Sequence, residues 1–151
     1  MSVKASSVED RLLKLQLRLA QLEKQESCRE NFLDFVTTMW PDFISGRHHR
    51  IIAEKLERVA RGELKRLIIN MAPRHTKSEF ASFLFPAWMM GKNPRMKIIQ
   101  ATHTTELAVN FGRKTKNLID SDEFKTVFPE VKLAADSKAS GRWDTSRGGM
   151  Y

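Results

Sequence analysis

The residues of this chain best suited to chemistry are the six from Pro73 to Ser78, which read Pro-Arg-His-Thr-Lys-Ser. They follow a short apolar run that predicts a buried strand, and they precede an apolar-periodic stretch that predicts a helix. A loop in this position is the usual setting for phosphate binding, because the first turn of the helix offers unpaired N–H groups and a partial positive charge. We therefore expect an anion here, with Lys77 on the β- and γ-phosphates of a nucleotide and the Ser78 hydroxyl on Mg²⁺.

The loop departs from the standard pattern G-x-x-x-x-G-K-[ST] at both glycines, which fall on Met71 and Thr76. Glycine at the second place lets the backbone adopt a positive φ, which a β-branched residue such as Thr76 resists. This departure keeps a second interpretation open, in which the loop is a basic turn between a strand and a helix and holds no nucleotide.

Three stretches of the sequence together resemble the large terminase subunit of tailed bacteriophages, the motor that packages DNA into proheads. They are the loop with its preceding strand (67–78), Phe85-Pro86-Ala87-Trp88, and the segment from Gly141-Arg142-Trp143 to Gly148-Gly149. That family writes its loop as Pro-Arg-His-x-Lys-Ser, often with glycine at x. The resemblance covers the chain from about Phe32 to Tyr151.

The resemblance implies a packaging ATPase that uses ATP and Mg²⁺. Lys77 and Arg74 match the catalytic lysine and arginine of the family's loop, and Ser78 matches its Mg²⁺ ligand. The cofactor-binding residues that it implies are Pro73, Arg74, His75, Thr76, Lys77 and Ser78. In such a site Lys77 neutralises charge on the transferred phosphoryl group, and Arg74 stabilises the γ-phosphate within its own subunit or from a neighbour in a ring.

The resemblance also implies partners and a location. The implied partners are double-stranded DNA, the portal, the small terminase subunit and further copies of the chain in a homo-oligomeric ring. The implied location is the host cytoplasm, at the prohead portal during packaging. We expect no contact with a membrane, since no apolar run approaches the roughly 18 residues that a span requires.

Length and composition agree with one basic globular protein. The 151 residues allow one core, and the 26 Lys and Arg against 18 Asp and Glu give a net charge of +8. That charge favours a polyanionic partner, either a nucleotide or DNA, although many basic proteins bind no nucleic acid. Cys28 is the single cysteine, which excludes an internal disulfide and a cysteine-based metal site.

The apolar pattern predicts an α/β fold class, a truncated, P-loop NTPase-like, three-layer αβα domain with N-terminal helices. The predicted strands are 65–71, 96–101 and an edge strand at 131–133, and half of a hairpin is predicted around Gly148-Gly149. Helices are predicted to begin at Ser6 and Ser27, each with a capping-box glutamate three residues later, and again at Arg47, Lys77 and Thr104, with a shorter helix over 121–128. The predicted domains are an N-terminal helix at 1–26, taken as an interaction segment, and an incomplete P-loop ATPase domain at 27–151.

Apolar residues recur along the first helix at alternating intervals of four and three. They are Val8, Leu12, Leu15, Leu19 and Leu22. This spacing is that of a coiled-coil seam that would contact another subunit. It spans only about two heptads, so a helix packed on its own domain is the alternative.

The acidic strand of a P-loop ATPase is missing from the sequence. An apolar run ending in Asp-Asp or Asp-Glu would hold Mg²⁺ and orient water, yet Asp120-Ser121-Asp122-Glu123 follows a helix, and Asp136 and Asp144 are isolated. The terminase nuclease domain is also absent. We therefore expect a piece from the N-terminal part of the large subunit that binds nucleotide but is nearly inactive as an ATPase alone. The alternatives are a fragment of another P-loop enzyme, such as a helicase or small kinase, and a non-enzymatic basic DNA-binding or adaptor protein.

Secondary candidates surround the loop. Trp40, Phe43 or His48 could stack on a nucleotide base, although core packing is the alternative for the first two. His48 and His49 are adjacent, point about 100° apart on a helix and lack a supporting ligand pattern, which argues against a metal site. The residues from Thr102 to Thr105 could touch phosphate or cap a helix. A basic helix face could hold a DNA backbone or simply be solvated; its residues are Arg113, Lys114 and Lys116.

Overall fold

The computed structural model describes residues 3–135 and 141–151, with side chains from residue 8 onward. Within these ranges the chain forms six α-helices and one π-helical segment, and it forms no β-strand. The elements in chain order are α1 (Val3–Glu30), α2 (Phe32–Met39), α3 (Arg47–Ala60), the π-helical segment (Glu79–Leu84), α4 (Phe85–Lys92), α5 (Thr105–Asp120) and α6 (Asp122–Val127). The predicted α/β, three-layer P-loop fold is therefore wrong, and the described chain is all-α.

The predicted first strand, 65–71, fails because it has no strand beside it. It has no regular secondary structure, and no backbone hydrogen bond joins it to another described residue. Leu67, Ile69 and Met71 pack against the helical core, whereas the Ile68 side chain between them is 90% exposed. The apolar run is thus buried on one face only. A continuous apolar run is typical of a strand that is buried on both faces of a sheet, but the described residues form no sheet.

The other predicted strands, 96–101 and 131–133, are reduced to isolated β-bridges. Lys97 pairs in parallel with Met150, and Leu133 pairs antiparallel with Thr145. The C-terminal segment folds back on itself, with Trp143 and Tyr151 exchanging backbone hydrogen bonds of 3.1 and 2.9 Å around a turn at 145–149. The prediction of half a hairpin is therefore wrong, since both arms lie within 143–151. Among the described residues, no ladder continues beyond single bridges.

Most helices are where local signals predict them. Three predicted helices are confirmed: α2 before Pro41, α3 from Arg47, and α5 capped by Thr104. Gly62 follows the end of α3 with a positive φ. The capping box predicted at Ser27 and Glu30 is wrong, because α1 runs through both residues. The N-terminus of α2 is instead capped from α3, where the Glu57 carboxylate accepts a hydrogen bond from the Phe32 N–H at 2.8 Å.

A cluster of aromatic side chains forms the core between these helices. Phe32 lies at its centre, with ring centroids 5.6 Å from Phe80 and 5.5 Å from Trp88. The indole N–H of Trp88 donates to the Cys28 carbonyl at 2.9 Å, so the end of α1 is attached to α4 through a buried contact. Phe35 extends the cluster to α6 through an edge contact with Phe124. These contacts join α1 and α2, which precede the 72–78 loop, to the π-helical segment and α4, which follow it, in one packed helical body.

The long first helix is attached to this body only near its C-terminal end. Cys28 is buried, whereas every described side chain from residue 8 to residue 24 is exposed. The alternative in which the leucine-rich face packs on its own domain is therefore wrong for this stretch. The helix also runs unbroken across the predicted domain boundary between residues 26 and 27. The helix start predicted at Ser6 is wrong, because α1 begins at Val3 and Ser6 lies within it.

Candidate phosphate-binding site

The six predicted site residues form one concave surface. Residues 72–79 line a cavity of about 530 Å³ at the point where the extended chain turns into the helix that carries the π-helical segment. Helical structure begins at Lys77, and the Phe80 N–H donates to the Thr76 carbonyl at 3.0 Å. The predicted site residues Pro73, Arg74, His75, Thr76, Lys77 and Ser78 thus all line this cavity, although no strand precedes them.

The backbone of the loop has an uncommon conformation. Arg74 has φ 63° and Thr76 has φ 57°, while His75 between them does not have a positive φ. Where left-handed and right-handed residues alternate, successive backbone N–H groups can turn toward one side and form an anion-binding concavity. Thr76 thus adopts the left-handed conformation that glycine adopts at low cost, although its β-branched side chain was expected to resist a positive φ.

A buried histidine from α3 holds Thr76 in this conformation. The His49 Nδ1 accepts a hydrogen bond from the Gly46 N–H at 2.9 Å, so the ring proton lies on Nε2. That Nε2–H donates to the Thr76 Oγ1 at 2.7 Å, and the Thr76 hydroxyl donates in turn to the His75 carbonyl at 2.7 Å. We call this chain of contacts from Gly46 through His49 and Thr76 to the His75 carbonyl the His49 latch.

The surroundings of His49 keep its ring neutral. Its side chain is buried between the rings of Phe43 and Phe80, and the His48 ring lies 3.8 Å away between centroids. Burial first, and the nearby His48 and His75 second, lower the pKa of His49 below its usual value of 6.5. A neutral ring is the form that the latch requires, since protonated Nδ1 could not accept from Gly46.

Two cations of the loop have no protein counter-ion. Lys77 is half-buried and Arg74 is exposed, and no described residue forms an ion pair or hydrogen bond with either side chain. The neighbouring carboxylate is already engaged, because Glu79 pairs with Lys114 of α5 at 3.1 Å. The concave surface therefore combines two left-handed backbone residues at a helix start with uncompensated positive charge, an arrangement that suits a phosphate.

The described residues do not complete a Mg²⁺ site. Ser78 is exposed at the start of the helix, but no group of three His, Cys, Asp or Glu residues that could hold a metal occurs in the described parts of the chain. Mg²⁺ prefers octahedral oxygen ligands and is usually held through one or two carboxylates as well as substrate phosphates. A hydroxyl alone does not fit that requirement, so Ser78 could contribute one ligand and no more.

The aromatic candidates for base stacking differ in their availability. Trp40 and Phe43 pack against each other and against the core, with 5.3 Å between their ring centroids. His48 is exposed, lines a groove of about 250 Å³ with residues 67–71, and lies 6.1 Å from the His75 ring of the loop. Of the three, His48 alone faces open space beside the phosphate loop.

The remaining candidates are mostly engaged in local contacts. The Thr104 hydroxyl caps α5 by accepting from the Leu107 N–H at 3.3 Å, and the Thr102 hydroxyl donates to the Thr104 carbonyl at 2.6 Å. On the basic face of α5, Arg113 contacts the Asn110 side chain at 2.5 Å, and Lys114 is paired with Glu79. The Asp120–Glu123 stretch forms the junction of α5 and α6, away from the loop, and Asp136 lies outside the described residues.

Sequence reasoning missed the role of His49, although a signal for it exists. His49, Ile52 and Leu56 recur at helical spacing on α3, and all three are buried. A histidine on the buried face of a helix needs hydrogen-bond partners, which here are a backbone N–H and the loop threonine. The partner on the loop could not be named from the pattern, because it lies 27 residues away in sequence.

Comparisons with known proteins identify no relative. No protein-family model, curated protein or solved structure gave a significant match to this chain. Among the described residues, no helix combines the length and the apolar character that crossing a membrane requires.

Proposed function

We propose that the loop at 72–78 binds the polyphosphate group of a nucleotide, with ATP as the expected ligand. The observation that carries this proposal is the alternation of φ at Arg74 and Thr76 beside the unpaired cations Arg74 and Lys77. Lys77 would approach the terminal phosphates from the start of the helix, and Arg74 would contact them from the rim. The His49 latch keeps this concavity formed before the ligand arrives, which lowers the cost of ordering the loop on binding.

The base of the nucleotide would lie in the groove beside His48. This groove adjoins the loop, and its floor is the apolar stretch 67–71. An exposed imidazole over an apolar floor offers a stacking surface that requires no rearrangement of the core. The contribution of His48 would therefore be specific to a ligand that has a base.

The wider role that we propose is ATP binding for a motor that packages double-stranded DNA into proheads. Its support is the resemblance of the loop, of Phe85-Pro86-Ala87-Trp88 and of the 141–149 segment to the large terminase subunit, together with the net charge of +8. In that role DNA, the portal, the small terminase subunit and further copies of the chain would be partners. The described residues offer no group of three possible metal ligands, and Glu79 beside the loop is paired with Lys114. We therefore expect negligible ATP turnover by this chain alone.

Calorimetry with ATP and with inorganic tripolyphosphate tests the proposal. Replacing Lys77 by Ala removes a charge-assisted hydrogen bond worth about 1.5–3 kcal/mol, so we expect at least about tenfold weaker binding of both ligands. Lys65→Ala is the matched control, because it removes the same charge from an exposed position outside the loop. It should leave both affinities within about twofold of the unmodified chain.

The same titrations separate the competing functions. His48→Ala should weaken the binding of ATP and spare that of tripolyphosphate, which has no base. Equal heats from the unmodified chain and from Lys77→Ala would remove the nucleotide proposal. If the chain binds DNA in that case, the non-enzymatic DNA-binding or adaptor interpretation replaces it.

A further inference from the structure

The N-terminal half of α1 carries an apolar seam that nothing in the described chain covers. The seam consists of Val8, Leu12, Leu15, Leu19 and Leu22, whose exposed fractions lie between 45% and 67%. Their spacing of four and three residues places them along one line of the helix, at the a and d positions of a heptad. A continuous apolar surface of this kind on a soluble protein marks an interaction site.

The seam faces away from the helical body. The buried contacts of α1 come from its last turns, where Cys28 is buried and the Arg29 side chain donates to the Val127 carbonyl at 2.6 Å. At 100° per residue, Cys28 lies roughly 180° around the helix from Leu19. A partner helix can therefore lie along the seam without displacing the body.

Charges flank the seam with opposite signs on its two sides. With Leu12 and Leu19 at a positions, Arg11 and Arg18 occupy g positions, while Glu9, Gln16 and Glu23 occupy e positions. In a parallel pair of such helices each g residue faces the e residue of the next heptad on the partner, so Arg18 of one copy faces Glu23 of the other. In an antiparallel pair g faces g and e faces e, which brings like charges together.

We propose that α1 pairs in parallel with α1 of a second copy of this chain, through the seam from Val8 to Leu22. The occupant is a second copy because the seam is complementary to itself in that one orientation, in its leucines and in its flanking charges. The seam spans only about two heptads, so the association is weak and depends on protein concentration. The pairing joins two chains at their N-terminal ends and leaves the phosphate loop of each one open.

Sedimentation equilibrium of the full chain over a wide concentration range tests the seam. Replacing both Leu12 and Leu19 by Ser should weaken the dimer at least about tenfold, since two side chains no longer bury apolar surface. The matched control replaces Leu13 and Leu17 by Ser. These residues are as exposed, at 56% and 58% against 55% and 57%, but they lie outside the seam. The control should dimerise as the unmodified chain does.

Charge reversal tests the orientation. Arg18→Glu should weaken a parallel dimer, and adding Glu23→Arg in the same chain should restore it, because the pair is then reformed with the signs exchanged. In an antiparallel dimer Arg18→Glu would relieve repulsion and strengthen association. The proposal is overturned by a chain that stays monomeric throughout, by equal losses in the two leucine variants, or by strengthening in Arg18→Glu. Since all these side chains are exposed, circular dichroism should show the same helix content in every variant.

Discussion

Thr76 stores conformational strain that its contacts offset. A non-glycine residue at φ 57° costs on the order of 1–2 kcal/mol. Its hydroxyl accepts from His49 and donates to the His75 carbonyl, and these bonds exist only while the loop has this shape. The side chain that makes the conformation costly is thus also the one that holds it.

Two substitutions at Thr76 separate these effects. Thr76→Ala keeps the positive φ and loses both hydrogen bonds, so its free energy of unfolding should fall. Thr76→Gly also loses the bonds but removes the strain, and it should be more stable than the alanine variant by about 1 kcal/mol. Urea unfolding measures the difference, and equal stabilities would show that the left-handed conformation carries no strain.

The same pair of variants predicts ligand affinity. We expect Thr76→Gly to bind tripolyphosphate more tightly than Thr76→Ala, by about tenfold or less, because the open backbone lets phosphate approach the N–H groups. The greater freedom of the empty glycine loop opposes this gain. If Thr76→Gly bound more weakly than Thr76→Ala, the entropic cost of ordering the flexible glycine loop would outweigh the relief of backbone strain.

His49 makes the stability of the protein depend on pH. Its pKa is lowered in the folded state, so the unfolded chain binds the proton more readily. The stabilisation from neutral His49 is therefore complete above the unfolded pKa of about 6.5 and is lost as pH falls toward the lowered native pKa. The free energy of unfolding should decline through this window in the unmodified chain and decline less in His49→Gln.

The control for His49 is the exposed histidine at position 103. His103→Gln should retain the full decline, because that ring lies outside the latch. Urea unfolding at several pH values below and above 6.5 provides the comparison. If the declines of the two variants match, burial of His49 does not govern the pH dependence.

The two glycines of the C-terminal turn at 145–149 are needed for different reasons. Gly148 has φ 84°, and a Cβ there would meet nothing within 4 Å. Gly149 next to it lies against the chain before Lys97, where a Cβ would stand 2.3 Å from the Pro94 carbonyl oxygen and 2.9 Å from that of Met96. The turn at 145–149 thus needs one glycine for its dihedral angle and the other for close packing.

Alanine at these two positions should have unequal effects. Gly148→Ala should lower the free energy of unfolding by about 1 kcal/mol through its positive φ. Gly149→Ala should cost more, about 1–3 kcal/mol beyond that, because the backbone carbonyls it meets cannot turn aside. Thermal or urea unfolding measures both. A milder effect at Gly149 would show that the bridges between Lys97, Asp144 and Met150 tolerate separation.

The described part of the chain is a helical body, and the whole sequence is basic. Its net charge of +8 is spread over many exposed Lys and Arg side chains, and part of the α5 face is neutralised locally by Glu79. Such a surface attracts a polyanion through many weak phosphate contacts, which read no base sequence. Binding to DNA is therefore expected to come from the general charge of the surface.

DNA affinity should accordingly be independent of sequence and sensitive to salt. Fluorescence anisotropy with two unrelated duplexes should give equal dissociation constants that rise steeply with salt concentration. Arg113→Ala should weaken binding to both duplexes alike and lower the salt slope by about one if that side chain contacts phosphate. A salt-insensitive affinity, or a strong preference for one duplex, would contradict this view.

Local chemistry made several features readable without a structure. Some residues start or end a helix through contacts within a few positions of the chain. Examples are Thr104 at the start of α5, Pro41 after α2 and Gly62 after α3, and these helices begin or end beside them. The phosphate loop is likewise a continuous stretch, so all six of its residues could be named together. The positive φ of Thr76 did not follow from the sequence, because the glycine pattern marks the position while a β-branched side chain argues against that conformation.

Features that depend on distant parts of the chain were settled only by the tertiary structure. An apolar run such as 65–71 has the composition of a strand, but a strand exists only where another segment supplies hydrogen bonds, and no described segment does. The His49–Thr76 contact and the cap that Glu57 provides for α2 join residues 27 and 25 positions apart. Periodicity reports which face of a segment is apolar, but the segment that meets this face is selected by packing of the whole chain.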